Sequence, residues 1–361
     1  MGIFDYHFTT DSGEAMKLSS VMLHLLPRFI VTVSASEITA PTVTGEAVSL
    51  MPESGSSFAD GLMSMLSGIL TQIHPEIDDA GRVCLSVLGA LLIVSILHSF
   101  SGAAEHICNH GCIAAVCVFL LVNTNTMIQL GTETVEQLSE YGKLLLPVMT
   151  TAMAFQGGVT TSTALYAGTA FFNALLTNLV SNLMIPGIYA YLALAIGSAM
   201  VKEDMLKKTR DLVKQCVTWC LKLILTIFTT YMGITGVVSG TTDAAALKAT
   251  KVTISSFVPV VGSIMSDASE AVLISAGLAK NAAGIYGIFA LLAIFLRPFI
   301  KIGIHYLFLK GTACICDLFA AKNTSDLVSD FSGAMGLVLA MTGTVCLLLL
   351  VSTVCFLRGI G

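Results

Sequence analysis

Charge is scarce in this chain. Asp, Glu, Lys and Arg make up 11% of its 361 residues, against about a quarter in ordinary soluble domains. With 55% hydrophobic residues and a mean hydropathy of +0.85, that deficit excludes a conventional water-soluble domain and indicates a polytopic membrane protein. The acidic, Pro/Ser/Thr-rich start of the chain argues against a nucleic-acid partner. Also absent are a GxxxxGK[ST] phosphate loop, an HExxH helix, a GxSxG elbow and a Rossmann fingerprint, which argues against an enzyme and against a resident cofactor. A transport role would therefore draw its energy from a gradient or from a partner. Apart from Cys108 and Cys112 of HICNHGC and the unspecific Cys314-Ile-Cys316, the cysteines stand singly or in pairs within apolar runs, which implies no disulfide framework.

What charge there is lies unevenly. Residues 1–80 hold ten acids against Lys17 and Arg28. Lys17 to Ala35 has a basic start, an apolar middle and a small-residue end, so residues 1–36 read either as a signal peptide or as a segment lying on the membrane surface. Residues 37–80 form an acidic, Pro/Ser/Thr-rich leader expected to be an extracytoplasmic solvated arm, with a helix at Leu62 to Ile73 that ends at His74-Pro75.

Residues 81–361 form the multi-span domain, an all-α membrane architecture in which the uncharged runs give seven or eight transmembrane helices. Val83 to Ala104 and Ile107 to Leu130 make the first two crossings, with Asn123 and Asn125 facing protein. Leu144 to Val201 carries no Asp, Glu, Lys, Arg or His, and its length suits three short passes broken at Pro147 and Pro186. Lys202 to Lys214 then supplies five bases against three acids, the strongest positive-inside signal in the chain, and is expected in the cytoplasm. Leu223 to Thr242 and Phe331 to Leu357 are further crossings.

Ile254 to Gly284 is apolar yet interrupted by Pro259 and Gly262. Proline removes a backbone donor and pushes its predecessor out of the helical region, so a turn is expected between Phe257 and Ser263. A half-helix then starts near Ser266, capped by Asp267 and Glu270, and ends near Lys280, too short to cross a bilayer. Arg297 and Lys301 share a helix face and are the expected counter-charges to Asp267 or Glu270. Leu146 to Met153 and Val258 to Met265 align Pro147 with Pro259, each followed by a small-residue return. Chance similarity accounts for such short strings; the other reading is a transporter-like repeat whose path is lined by Gln156, Gly157, Gly158 and the residues around Asp267. His106, Cys108, His110 and Cys112 alternate in HICNHGC, a spacing that fits no closed zinc site.

FVPVVGSIMSDASEAV with LAKNAAGIYG, and EITAPTVTGEAVSLMPESGSSFADGL near the N-terminus, resemble the stage III sporulation protein AE family, clostridial members in particular. The signature positions fall on Pro259, Gly262, Asp267, Lys280, Asn281 and Gly284. The resemblance implies a non-enzymatic integral subunit, permease-like or structural, of a channel complex in the mother-cell membrane around the forespore. Its implied partners are ring-forming and ATPase subunits of that complex, a forespore membrane protein and the lipid bilayer. The alternative reading from the residues alone is a self-sufficient secondary transporter for small molecules.

Overall fold

Length separates these helices from those of a simple membrane bundle. The computed structural model describes residues 40–43, 45–52, 58–100, 105–201, 204–257, 262–318 and 322–358, which belong to one compact unit. The segment 1–36 lies outside the described residues, as does Pro259. A 3₁₀ turn at Gly45–Leu50 is followed by α1 (Phe58–Phe100), α2 (Glu105–Phe155), α3 (Val159–Leu179), a π-helical turn at Val180–Met184, α4 (Ile185–Val201), α5 (Asp204–Phe257), α6 (Gly262–Leu318) and α7 (Lys322–Arg358). Among the described residues there is no strand.

Five stretches are long and apolar enough to cross a membrane: Ile113–Phe155, Val159–Val201, Asp204–Thr235, Lys280–Leu318 and Thr324–Arg358. This upholds the all-α polytopic class; the five are counted among the described residues alone, and what changes is where the chain breaks. Pro147 does not break α2, which runs on to Phe155. A proline frees the carbonyl four residues back, here that of exposed Lys143, where the loss is easily satisfied. Pro186 likewise sits inside one continuous helical rod, Val159–Val201, because the preceding turn widens: the Ile185 N–H reaches back to the Val180 carbonyl. That turn also keeps Leu176, Val180, Met184 and Ile188, each four apart, on the buried side.

The leader expectation changes too. Residues 58–80 form the first half of α1, which passes through Pro75 rather than ending at it. They pack on α6 through Met65, Ile69, Phe289 and Ala293, a small core separate from the main one, and Phe58 stacks on Phe289. The half-helix expectation is likewise corrected. α5 ends at Phe257 and α6 begins at Gly262, but α6 then runs unbroken through Asp267, Glu270 and Lys280 to Leu318. Asp267 and Glu270 therefore lie within α6, not at its cap. With no proline between Glu270 and Lys280, and only Gly277 as a weak breaker, helix propagation costs less than stopping.

α7 is the central post. Gly131 and Gly142 of α2 receive Val338 and Leu349, Thr169 of α3 shares a 2.6 Å hydroxyl contact with Ser352, and Ser332 Oγ donates to the Tyr306 carbonyl of α6 at 3.3 Å. Small residues at such contacts let backbones approach, the packing route available where lipid removes the hydrophobic drive. At the start of α7, Asp326 pairs with Lys207 at 3.2 Å and Asp330 with Arg210, while Tyr191 Oη donates to Asp330 at 3.4 Å. Part of the basic segment 204–214 is thus answered by acids of the last helix.

Candidate functional site

The connection from α2 to α3 is built from main-chain chemistry. Gly157 takes φ 91°, a left-handed conformation that favours glycine. Its N–H donates to the Ala154 carbonyl at 2.9 Å, and the Gly158 N–H donates to Met153 at 3.1 Å, the paired bonds of a Schellman ending. α3 then starts immediately, with Gly158 at the N-cap position. A glycine there offers no side-chain oxygen, so the first N–H groups of α3 lack a local acceptor.

Asp243 of α5 supplies it. Its Oδ1 accepts from the Thr160 N–H at 3.1 Å and its Oδ2 from the Thr161 N–H at 2.8 Å. These are the two positions that a capping side chain normally serves, here served from a different helix. The carboxylate is 3% exposed. Burial by itself pushes its pKa up, but hydrogen bonding from Thr161 and Thr160 outweighs this and holds the carboxyl below the usual aspartate range. The sign follows: a lowered folded-state pKa gives stability that is complete above the ordinary aspartate value of about 4 and lost as pH falls through the lower folded value. Acid titration of the detergent-solubilised protein should therefore lower its melting temperature below about pH 4, and Asp243→Asn should flatten that dependence. Equal acid slopes in both proteins would remove Asp243 from the account.

The same turn meets α6. Gly277 leaves the space that the Gln156 amide occupies: a Cβ at Gly277 would stand 2.5 Å from Gln156 Nε2. Gln156 Oε1 is buried without a hydrogen-bond partner. One turn along α6, Lys280 is 3% exposed, and Gly284 and Gly287 continue the same stripe against Met149 and Leu145 of α2 and Leu357 of α7. Lys280 opens the candidate span Lys280–Leu318, and a lysine buried there is costly unless its surroundings satisfy it. The structure therefore brings Gln156, Gly157, Gly158, Lys280 and Gly284 to one end of the bundle.

Other expected members stand apart. Asn281 and Pro147 are exposed. Gly262 opens α6, while the side chains of Ser266, Asp267 and Glu270 lie outside the described residues. Lys301 pairs with Glu76 of α1 at 2.9 Å, so the counter-charge expected from Asp267 or Glu270 comes from the leader helix instead. Arg297, half-buried, precedes it by one turn. Asp243 was missed in the sequence because a charge at the end of an apolar run reads as the edge of a span. Its partners are main-chain groups, which leave no sequence signature.

The side chains of His106, Cys108, His110 and Cys112 lie outside the described residues. The backbone there is helical from Glu105, which divides them into two pairs one turn apart on different sides of the axis. Among the described residues, no three His, Cys, Asp or Glu come together as metal ligands. What the α2–α3 site presents is a held carboxylate, a buried ammonium and a buried amide, an arrangement suited to polar binding or to locking helices.

Residues 50–358 match the profile of a family described as stage III sporulation protein AE. The chain is 23% identical over 223 residues to the stage III sporulation protein AE of Bacillus subtilis (strain 168), covering 62% of this chain and 56% of that protein. The match thus takes in little more than half of the relative's length. No solved structure matches the chain.

Proposed function

The chain belongs to the stage III sporulation protein AE family, and from that premise we propose that it acts as a permease-like or structural membrane subunit of the channel complex between mother cell and forespore. A role in sporulation follows from the family; the channel assignment is our reading. The observation that carries it is the α2–α3 site. Buried polar groups in an apolar bundle cost free energy unless satisfied, and simple anchoring does not call for an Asp243 cap, a buried Lys280 and the Gln156 amide at one end. Ring-forming and ATPase subunits would supply the energy, and a forespore membrane protein would meet the complex from the other side. The mother-cell membrane around the forespore is the proposed location.

Deleting the gene in a sporulating host tests this reading. Late forespore gene expression should fail and be restored by the wild-type chain. Normal late expression and normal spore yield would favour the self-sufficient transporter instead.

The proposed orientation places the basic segment 202–214 in the cytoplasm and the leader outside. Lys208 is exposed, so Lys208→Cys should resist an impermeant thiol reagent in intact cells and react after permeabilisation, followed on the peptide by mass spectrometry. Equal labelling before and after permeabilisation would invert the map.

A further inference from the structure

On α2, Gln129, Glu133, Glu136 and Glu140 recur every three or four residues, so they form one stripe, and all four are exposed. On α5, Trp219, Lys222, Thr226 and Thr230 form a second exposed stripe. Among the described residues, neither the three carboxylates nor Lys222 enters an ion pair. α3 packs between the two helices and sets their heights. Asn173 Nδ2 donates to Ser139 Oγ of α2 at 3.1 Å, and the adjacent Phe172 meets Phe228 of α5 edge-on at 5.4 Å. Both α2 and α5 run antiparallel to the Val159–Val201 rod, so they run the same way. Glu133 lies six residues before Ser139 and Lys222 six before Phe228, which carries each about 9 Å in one direction. The acid and the lysine therefore stand at one height on different sides of the bundle.

Neither medium suits both faces at that height. The stripes belong to the candidate spans Ile113–Phe155 and Asp204–Thr235. Lipid suits Leu223 and Ile227, exposed beside Lys222, but not three carboxylates. Water suits the carboxylates but leaves Trp219, Leu223 and Ile227 as an uncovered apolar surface.

We propose that copies of this chain pack side by side, the α2 stripe of one against the α5 stripe of the next, with Lys222 of the one answering Glu133 of the other. Each face then covers the other, and both mismatches disappear together. Thr226 and Thr230 come close to the heights of Gln137 and Glu140, and their hydroxyls, which now donate along α5, can turn to a facing acceptor. Because the two faces differ, the contact is heterologous. Because they stand at one height, every copy keeps the same orientation in the membrane, and repetition gives a ring about an axis parallel to the helices.

Native mass spectrometry of the full-length protein in detergent tests this without a sporulation readout, so it stands or falls separately from the channel reading. The parent should carry several copies per particle. Glu133→Lys, or Lys222→Glu where the first does not fold, places like charges together and should weaken self-association at least about tenfold, with the melting temperature of the dilute protein unchanged. Both reversals in one chain restore the pair with its signs exchanged and should bring association back to within about threefold of the parent. A monomeric parent would overturn the contact and leave the α2 stripe to a basic segment of another protein. An oligomer that neither reversal loosens, or a double reversal that associates no better than either single one, would overturn it as well.

Discussion

Asp243→Lys is expected to abolish late forespore gene expression and to lower the melting temperature of the purified protein more than any conservative change at the α2–α3 turn. The carboxylate accepts two main-chain N–H groups that Gly158 leaves uncapped, and hydrogen bonds to a charged group contribute about 1.5–3 kcal/mol each. Truncation to alanine should therefore cost about 1–3 kcal/mol, chiefly because the buried Thr161 N–H loses its acceptor while Thr160 is exposed. Lysine adds a positive charge at the positive end of α3, which costs up to about 1 kcal/mol more. Asp243→Asn keeps one acceptor and should be the mildest of the three. Thermal melts and membrane abundance separate a folding failure from a functional one: Asp243→Asn should accumulate in the membrane while Asp243→Lys does not. Parent-like melting of Asp243→Lys would mean that the turn holds itself together.

Gly284→Leu should be comparably severe for a different reason. A Cβ at this position would lie 2.4 Å from Leu357 Cδ2, 2.8 Å from Leu357 Cγ and 3.0 Å from Met149 Cε, so three helices meet where the side chain would grow. Alanine is tolerable because the end of Leu357 can swing aside. Leucine inserts three further carbons, and overpacking by even one methylene costs about 1–3 kcal/mol. Exchanging the knob and the hole gives a sharper measurement than either change alone. Gly284→Leu combined with Leu357→Gly should recover more than half of the lost melting temperature. No recovery would show that the glycine is needed for something other than space.

The class of the fold was plain from scarce charge and long apolar runs, because burial in lipid writes itself into composition. Where the rods reverse was not plain. Pro147 and Pro186 are strong breakers in water-soluble helices, yet the chain turns at Gln156–Gly158. A proline removes one hydrogen bond, which an exposed carbonyl or a widened turn absorbs; a full reversal needs a left-handed residue, and Gly157 provides it. Gln156 and Gly157 stood out in the sequence because small and polar residues interrupt an apolar run there, whereas Gly284 stood out through the family resemblance and Lys280 through that and its place at an expected helix end. Asp243 and Glu76 were not. Each acts across a long sequence separation on a partner chosen by tertiary packing, and nothing local distinguishes either from a solvated charge.

The π-turn at Val180–Met184 also bears on how this chain could change length over evolution. Such a turn holds one residue more than the α-helical path needs, so deleting a single residue between Val180 and Met184 would close it to regular α-helix. In an ordinary stretch of helix, a one-residue deletion rotates everything downstream by about 100°. Here the spare residue is already accommodated as a bulge, and Ile188, Tyr191 and Ala195 would stay directed at the core. The cost falls on Pro186, whose ring would then press on the carbonyl four residues before it. Deletion variants scanned along Val159–Val201 should therefore show a narrow window of tolerance at this turn, widened when Pro186→Ala accompanies the deletion, and homologues that lack the proline are where the shorter rod would be found.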